Sequence, residues 1–136
     1  MHELSVDPKI SEISALIDWV NARCGEDGLT DETIFKITLA LEEAVMNVIS
    51  HAFDGRPPPH QVLIRLETTA ARVTAEIIDN GHAFDPTAAP GPDLSLPLDQ
   101  REAGGLGIHL MRSMTDKIEY RRAGDKNVLK LMKALA

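Results

Sequence analysis

Leu39–His51, which reads LALEEAVMNVISH, is the segment that decides how this 136-residue chain folds. It is rich in helix-forming residues and contains neither Gly nor Pro, so it predicts a helix. Val45, Val48 and Ile49 recur at helical spacing and form an apolar stripe. The apolar spacing continues upstream, and Thr30 is suited to cap the helix, so we predict a helix over residues 31–52.

One face of this helix carries three polar side chains of different chemistry. Glu43, Asn47 and His51 lie four residues apart, so a carboxylate, an amide and an imidazole stack one turn above another. On this segment alone, a solvated polar face explains them more simply than a binding site does. The rest of the sequence has to decide between the two interpretations.

Composition indicates one soluble globular domain, with 43% hydrophobic and 26% charged residues. The formal net charge of −7 disfavours a nucleic-acid partner, because phosphate binding relies on clustered Lys and Arg. No apolar run approaches the ~20 residues of a membrane span, and the N-terminal residues lack the pattern of a signal peptide. Cys24 is the single cysteine and cannot form an internal disulfide, which is typical of a reducing cytoplasm. We interpret it as a small core residue. The histidines lack metal-ligand spacing, which disfavours a zinc site.

The remaining elements follow from periodicity and from breaker residues. We predict a strand over His2–Val6, a helix from Asp7-Pro8 to about Cys24, strands over 61–68 and 72–79, a helix opened by residues 104–107, and strands over 116–122 and 127–133. Residues 86–103 are rich in Pro and lack periodicity, which predicts a lid or binding loop. The order β-α-α-β-β-lid-α-β-β predicts an α+β two-layer sandwich.

Two further motifs suggest contacts to an anion and to a base. Gly104-Gly105-Leu106-Gly107 opens a helix, where close backbone approach and unpaired N–H groups suit a phosphate, although a flexible hinge is an equally good interpretation. No Gly-Lys-Ser/Thr follows and no parallel βαβ unit surrounds the run, which excludes a P-loop and a dinucleotide fold. Asp79, at a strand end and followed by Gly81, could accept a hydrogen bond from an exocyclic amine, or could simply form an Asx turn.

The order and spacing of these motifs are more specific than any one of them. Glu43-x-x-x-Asn47, then Asp79-x-Gly81, then Phe-Asp-Pro at 84–86, then Gly-Gly-Leu-Gly at 104–107 follow one another along the chain. From its first strand to Leu131 the chain resembles the GHKL superfamily of ATP-binding domains. It resembles most closely the bacterial anti-sigma-factor serine/threonine kinases of the partner-switching type. The resemblance implies that residues 1–136 form a single ATP-binding domain, with a mixed, mostly antiparallel sheet covered on one face by helices.

The resemblance assigns expected roles to matching positions. Asn47 would coordinate the Mg²⁺ that bridges the phosphates of ATP, and Glu43 would orient and deprotonate the attacking hydroxyl. Asp79 would bind the adenine amino group, and Gly81 would keep the pocket open. His51, one turn beyond Asn47, would support the phosphates or have no role.

The glycine run and the lid would complete the site. Gly104, Gly105, Leu106 and Gly107 would lie against the phosphates, with Gly105 and Gly107 offering backbone N–H groups. The chain departs from the superfamily at Ala83, which stands where a second Gly is common. Arg101 is the only basic residue of the lid and is the expected lid contact to the nucleotide.

The resemblance also implies partners. The chain would hold a sigma factor inactive, phosphorylate a Ser or Thr of a STAS-domain anti-anti-sigma protein, form a homodimer and act in the cytoplasm, without contacting nucleic acid or membrane. The alternative is a nucleotide-binding anti-sigma module without phosphoryl transfer, which the sparse lid favours and the Glu43–Asn47 pair disfavours. A gyrase-like ATPase fits less well because no transducer domain is present. A histidine kinase domain fits less well because it usually has Asn at position 43.

Overall fold

The computed structural model describes residues 1–88 and 103–135, which form an α+β domain. Its elements are β1 (His2–Val6), α1 (Ile13–Glu26), α2 (Asp31–His51), β2 (Val62–Thr68), β3 (Arg72–Asp79), α3 (Ala103–Met114), β4 (Lys117–Ala123) and β5 (Lys126–Ala134), with short 3₁₀ turns at Ile10–Glu12 and Pro86–Ala88. This order confirms the predicted fold class. Most of the predicted lid, residues 89–102, lies outside the described residues.

The strands form one sheet in the order β1-β2-β3-β5-β4, and all four described pairings are antiparallel. The crossover that inserts β5 beside β3 places Asn127 directly opposite Asp79. Alternate residues of the three central strands share one core with the helices; they are Val62, Ile64, Leu66, Val73, Ala75, Ile77, Leu129 and Leu131. The end of β3 therefore lies at the boundary between this core and the polar residues that follow it.

The helix α2 is the longest element and is capped as predicted. The Thr30 hydroxyl accepts a hydrogen bond from the Thr33 backbone N–H (3.2 Å), which satisfies one of the unpaired donors of the first turn. Val45 and Val48 are buried, and Ile49 packs at the margin of the core. The predicted apolar stripe therefore anchors α2, and its polar face is left for other contacts.

The helix α1 begins later than predicted, because Asp7 does not act as its cap. The Lys9 N–H donates to the Asp7 carbonyl (2.8 Å), and the 3₁₀ turn Ile10–Glu12 then leads into the helix. This local turn uses the backbone groups that a helix beginning at Asp7 would need. At its other end α1 extends to Glu26, and Gly28, with φ +77°, supplies the left-handed residue that ends it.

The helix α3 begins at Ala103, so the run Gly104–Gly107 forms its first turns as predicted. Ile108 and Met111 of α3 are buried in the core.

Cys24 of α1 is also buried in the core. Burial raises the pKa of the Cys24 thiol to about 11, which keeps it protonated and supports its interpretation as a core residue. None of the helices in residues 1–88 and 103–135 has the length and apolar content needed to cross a bilayer.

Candidate functional site

A narrow cavity between α2 and the sheet joins the polar face of α2 to the end of β3. Asn47 and Asp79 both line it, as the sequence predicted for two parts of one site. Its described lining is Ala44, Asn47, Val48, Ala52, Asp79, Phe84, Pro86, Tyr120, Asn127 and Leu129. A wider cleft, lined by residues that include Leu63 and Ile78, also touches Asp79 but contains no residue of α2. The narrow cavity is therefore the candidate site.

Asp79 lies on the buried face of β3 and is only 4% exposed. Its Oδ1 accepts hydrogen bonds from the Gly81 backbone N–H and from Asn127 Nδ2, both at 2.9 Å. Among residues 1–88 and 108–135, no donor reaches Oδ2. Burial raises the pKa of Asp79, whereas these hydrogen bonds and the positive charge of Arg122 oppose the rise. The site therefore offers the second oxygen of this carboxylate to a ligand.

Asn127 is the centre of the hydrogen-bond network around Asp79. Its Nδ2 donates to Asp79 Oδ1 (2.9 Å) and to the His82 carbonyl (2.6 Å). Its Oδ1 accepts from the Tyr120 hydroxyl (2.6 Å), from Arg122 (3.1 Å) and, more weakly, from the Phe84 N–H (3.3 Å). Although Asn127 is only 3% exposed, both ends of its amide group are satisfied.

Sequence reasoning missed Asn127 and the two residues of β4 that hold it. Tyr120 and Arg122 alternate on β4 and point toward the same network, and Arg122 also donates to the Gly81 carbonyl (2.8 Å). A signal was present, because Asn127 shares the inward register of β5 with the apolar Leu129 and Leu131. A polar residue at an inward strand position needs a partner, and here that partner is Asp79.

Gly81 is required for packing against the end of α2. A Cβ at this position would lie 2.6 Å from the Ala52 Cβ and closer still to the Ala52 carbonyl oxygen. The next residue, His82, donates its backbone N–H to that carbonyl (2.7 Å). The loop after β3 is thereby fastened to the C-terminal end of α2, and only glycine permits so close an approach.

Glu43 lies on α2 one turn before Asn47, and its side chain is half-buried. It is not among the described residues that line the cavity. Burial raises the pKa of the Glu43 carboxyl, and the neighbouring charge of Glu42 raises it further. A carboxylate with a raised pKa binds a proton more readily than an ordinary glutamate does, which suits a general base.

His51, the third polar residue of the α2 face, is exposed and lies against an aromatic ring. Its imidazole and the Phe84 ring have centroids 5.2 Å apart and planes tilted by 30°. This contact links the end of α2 to the loop after β3. Within residues 1–88 and 108–135, His51 has a packing partner but no polar one.

The other predicted site residues are described only in part. Arg101 lies outside the described residues, so its predicted contact stays a prediction. Gly104, Gly105, Leu106 and Gly107 are described as the first turns of α3. The structure thus brings Asn47, Asp79 and Gly81 together.

This two-layer fold, with a cavity that lies between one long helix and the end of a sheet strand, is that of a histidine kinase-like ATPase domain. The family model described as "Histidine kinase-like ATPase domain" matches residues 6–133, so the chain belongs to this family. A solved structure of the RsbU and RsbW domains of a Mycobacterium tuberculosis protein shows the same fold. That match has a TM-score of 0.65 at 16% identity and covers 99% of this chain and 33% of the solved chain.

Curated relatives confirm the resemblance to the anti-sigma-factor serine/threonine kinases. Serine/threonine-protein kinase BtrW of Bordetella bronchiseptica is 40% identical over 97 residues, which cover 71% of this chain and 68% of the relative. Serine-protein kinase RsbW of Halalkalibacterium halodurans is 28% identical over 123 residues, which cover 88% of this chain and 74% of the relative. A protein of Caldanaerobacter subterraneus named Anti-sigma F factor is 28% identical over 100 residues, covering 74% and 68% respectively.

Proposed function

We propose that this protein is a serine/threonine protein kinase and anti-sigma factor of a partner-switching system. It binds Mg-ATP, sequesters a sigma factor and phosphorylates a Ser or Thr of a STAS-domain anti-anti-sigma protein. The observation that carries the proposal is the cavity in which Asn47 of α2 meets the buried Asp79 of β3. The names of the curated relatives support both the kinase activity and the anti-sigma role.

The residues of the cavity fit a magnesium nucleotide. The amide oxygen of an asparagine is a hard ligand of the kind that Mg²⁺ accepts, and Asn47 lines the same cavity as Asp79. Within residues 1–88 and 108–135, no donor reaches Asp79 Oδ2, so this oxygen can accept a hydrogen bond from the amino group of a base. Asn47 would therefore hold the metal and Asp79 the base, and bound Mg-ATP would supply the phosphoryl group.

Glu43 has the properties of the residue that would accept the proton of the attacking hydroxyl. It precedes Asn47 by one helical turn, so the two side chains lie on the same face of α2. Its half-buried carboxyl has a raised pKa, which increases its basicity. General base catalysis typically raises the rate of the chemical step by ~10²–10⁴-fold. We therefore propose that phosphoryl transfer depends on Glu43 and that nucleotide binding does not.

The test is to mix the protein with γ-labelled Mg-ATP and the STAS-domain protein encoded nearest to it. We expect label on a Ser or Thr of the STAS protein. Glu43→Ala should lower the rate of labelling by ~10²–10⁴-fold and still bind ATP, whereas Asn47→Ala should weaken the binding of Mg-ATP itself. Equal loss of ATP binding in both variants would contradict this division of roles.

The same experiment distinguishes the alternative function. A nucleotide-binding anti-sigma module without transfer would bind ATP and the sigma factor but leave the STAS protein unlabelled. The sparse basic character of the lid, with Arg101 alone, is what favours this alternative. A chain that binds no nucleotide would contradict both.

A further inference from the structure

The amide of Asn127 has only one orientation that satisfies its neighbours. Its oxygen faces three donors, namely the Tyr120 hydroxyl, the Arg122 guanidinium and the Phe84 N–H. Its nitrogen faces two acceptors, Asp79 Oδ1 and the His82 carbonyl. Exchanging the amide oxygen and nitrogen would oppose donors to donors and acceptors to acceptors. The position of the NH₂ group against Asp79 is therefore determined by the surrounding network.

This orientation decides which oxygen of Asp79 is available to a ligand. Two N–H groups, from Asn127 and from Gly81, point at Oδ1. No donor in residues 1–88 and 108–135 points at Oδ2. Both bonds favour the ionised carboxylate, whose remaining oxygen can only accept a hydrogen bond.

We propose that Asn127 is a positioning residue that makes the site select a purine with a 6-amino group over one with a 6-oxo group. By holding Oδ1, Asn127 leaves Oδ2 as an acceptor that pairs with an amino group and repels a carbonyl oxygen. The inference rests on the proposed function, because it specifies how Asp79 recognises the base of the nucleotide.

The electrostatics of the site support the same role. Burial favours the protonated form of Asp79, and a protonated carboxyl could donate to a 6-oxo group. The hydrogen bond from Asn127 is the largest of the effects that oppose this, ahead of the Gly81 N–H and the charges of Arg122 and Arg56. Without Asn127, Asp79 is less firmly held as an acceptor, and the site discriminates less between the two kinds of base.

The test compares the affinities of the full chain for ATP and for ITP, which differ only in the amino or oxo group at position 6. In Asn127→Ala we expect ATP affinity to fall about tenfold, the order of one charge-assisted hydrogen bond, while ITP affinity changes little. The ATP-to-ITP preference should therefore fall by about tenfold. Calorimetric titration of both nucleotides gives this ratio directly.

The matched control is Asn80→Ala, at the position next to Asp79. The Asn80 side chain also makes two hydrogen bonds, to the Gln61 N–H (2.8 Å) and to the Pro59 carbonyl (2.9 Å), but it does not touch Asp79. We expect the ATP-to-ITP ratio of this variant to equal that of the parent chain. A fall in the ratio of Asn80→Ala as large as that of Asn127→Ala would overturn the inference.

A second variant keeps the inference testable if Asn127→Ala fails to fold. In Asp79→Asn the side-chain oxygen should face the Gly81 and Asn127 donors, which places an NH₂ group where Oδ2 was. The preference should then reverse in favour of ITP, and adding Asn127→Ala should weaken that reversal.

The outcomes separate this inference from the proposed function. A parent chain that binds neither nucleotide overturns the proposed function and the inference together. A parent chain that prefers ATP, with an unchanged preference in Asn127→Ala, overturns the inference alone and shows that Asn127 is merely structural. An unchanged preference in Asp79→Asn also overturns it.

Discussion

Glu43, the proposed general base, is the residue at which burial would affect catalysis most directly. Burial and the charge of Glu42 raise the pKa of its carboxyl, yet a general base acts only when it is deprotonated. The rate of phosphoryl transfer at saturating ATP should therefore rise with pH through this raised pKa, above the ordinary value of 4.5. A pH–rate profile of STAS phosphorylation measures this dependence.

The control for this profile is Glu43→Gln, which keeps the shape of the side chain and removes its proton affinity. Its residual rate should show no acid limb at the pH where the parent rate falls. An identical acid limb in both proteins would assign the titration to another group. Because Asp79 is proposed to act on the binding of ATP, its protonation should change the KM for ATP rather than the rate at saturating ATP.

Asp79 makes the stability of the domain depend on pH in the direction opposite to a salt-bridged carboxylate. Its pKa is raised by burial, so the folded chain retains this proton at pH values where the unfolded chain, near 3.8, releases it. The contribution of Asp79 to the free energy of unfolding is thus largest at low pH and falls as pH rises through the raised pKa. The stability of Asp79→Asn relative to the parent should therefore increase from pH 4 to pH 7.

Urea denaturation of both proteins at the two pH values checks this expectation. The exposed Asp18→Asn controls for the general effect of removing one negative charge. A relative stability of Asp79→Asn that stays constant or falls with pH would contradict the sign of the effect.

Single residues also show which parts of the candidate site could be predicted from the sequence alone. Asn47 and Asp79 were predicted to share a site, and they line one cavity, because each sits at a position set by a local pattern. The second function of Gly81 was not foreseen, because its contact with Ala52 depends on how the loop after β3 meets the end of α2. Local periodicity contains no information about such a contact.

At the scale of elements, the junction between the loop after β3 and α2 is the most sensitive point. Gly81→Ala places a Cβ against the backbone of Ala52, and overpacking of this kind costs about 1–3 kcal/mol. Gly25→Ala in α1 meets nothing within 4 Å and should stabilise the domain by about 0.5 kcal/mol, since Ala favours a helix. Urea midpoints of the two variants should therefore move in opposite directions; movement in the same direction would contradict the predicted clash.

The elements themselves followed from the sequence where local signals agree. The helix α2 has a hydroxyl cap, an apolar stripe and no breaker, and it was predicted within one residue of its observed end at His51. The start of α1 was wrong because Asp7-Pro8 resembles a cap while the backbone there forms a turn ending in the 3₁₀ segment Ile10–Glu12. A helix cap and a backbone turn are both compatible with Asp7-Pro8, and the local sequence does not determine which of the two forms.

For the whole molecule, occupancy of the site should appear as global stability. A ligand that binds only the folded chain adds about 2.7 kcal/mol at 100 times its Kd. For a domain of 136 residues this raises Tm by roughly 9 °C. Thermal unfolding at increasing Mg-ATP measures the shift, and Asp79→Ala should remove it. An equal shift in that variant would place the nucleotide elsewhere.

The network around Asp79 also marks the limit of prediction at this scale. Asn127 lies 48 residues after Asp79, and the two meet only because β5 inserts between β3 and β4 in a particular register. The sequence indicated two hairpins but not which strand of the second hairpin lies beside the first. Strand order is a property of the complete sheet, and the partner of Asp79 could not be named before it was known.

The insertion of β5 has a consequence for protein synthesis. On the ribosome, residues 1–88 emerge well before residues 126–134, so β3 has a free edge on one side until the last described strand arrives. Until then Asp79 lacks its Asn127 partner. The nascent chain therefore completes the hydrogen-bond network around Asp79 only after β5 has been synthesised and has paired with β3.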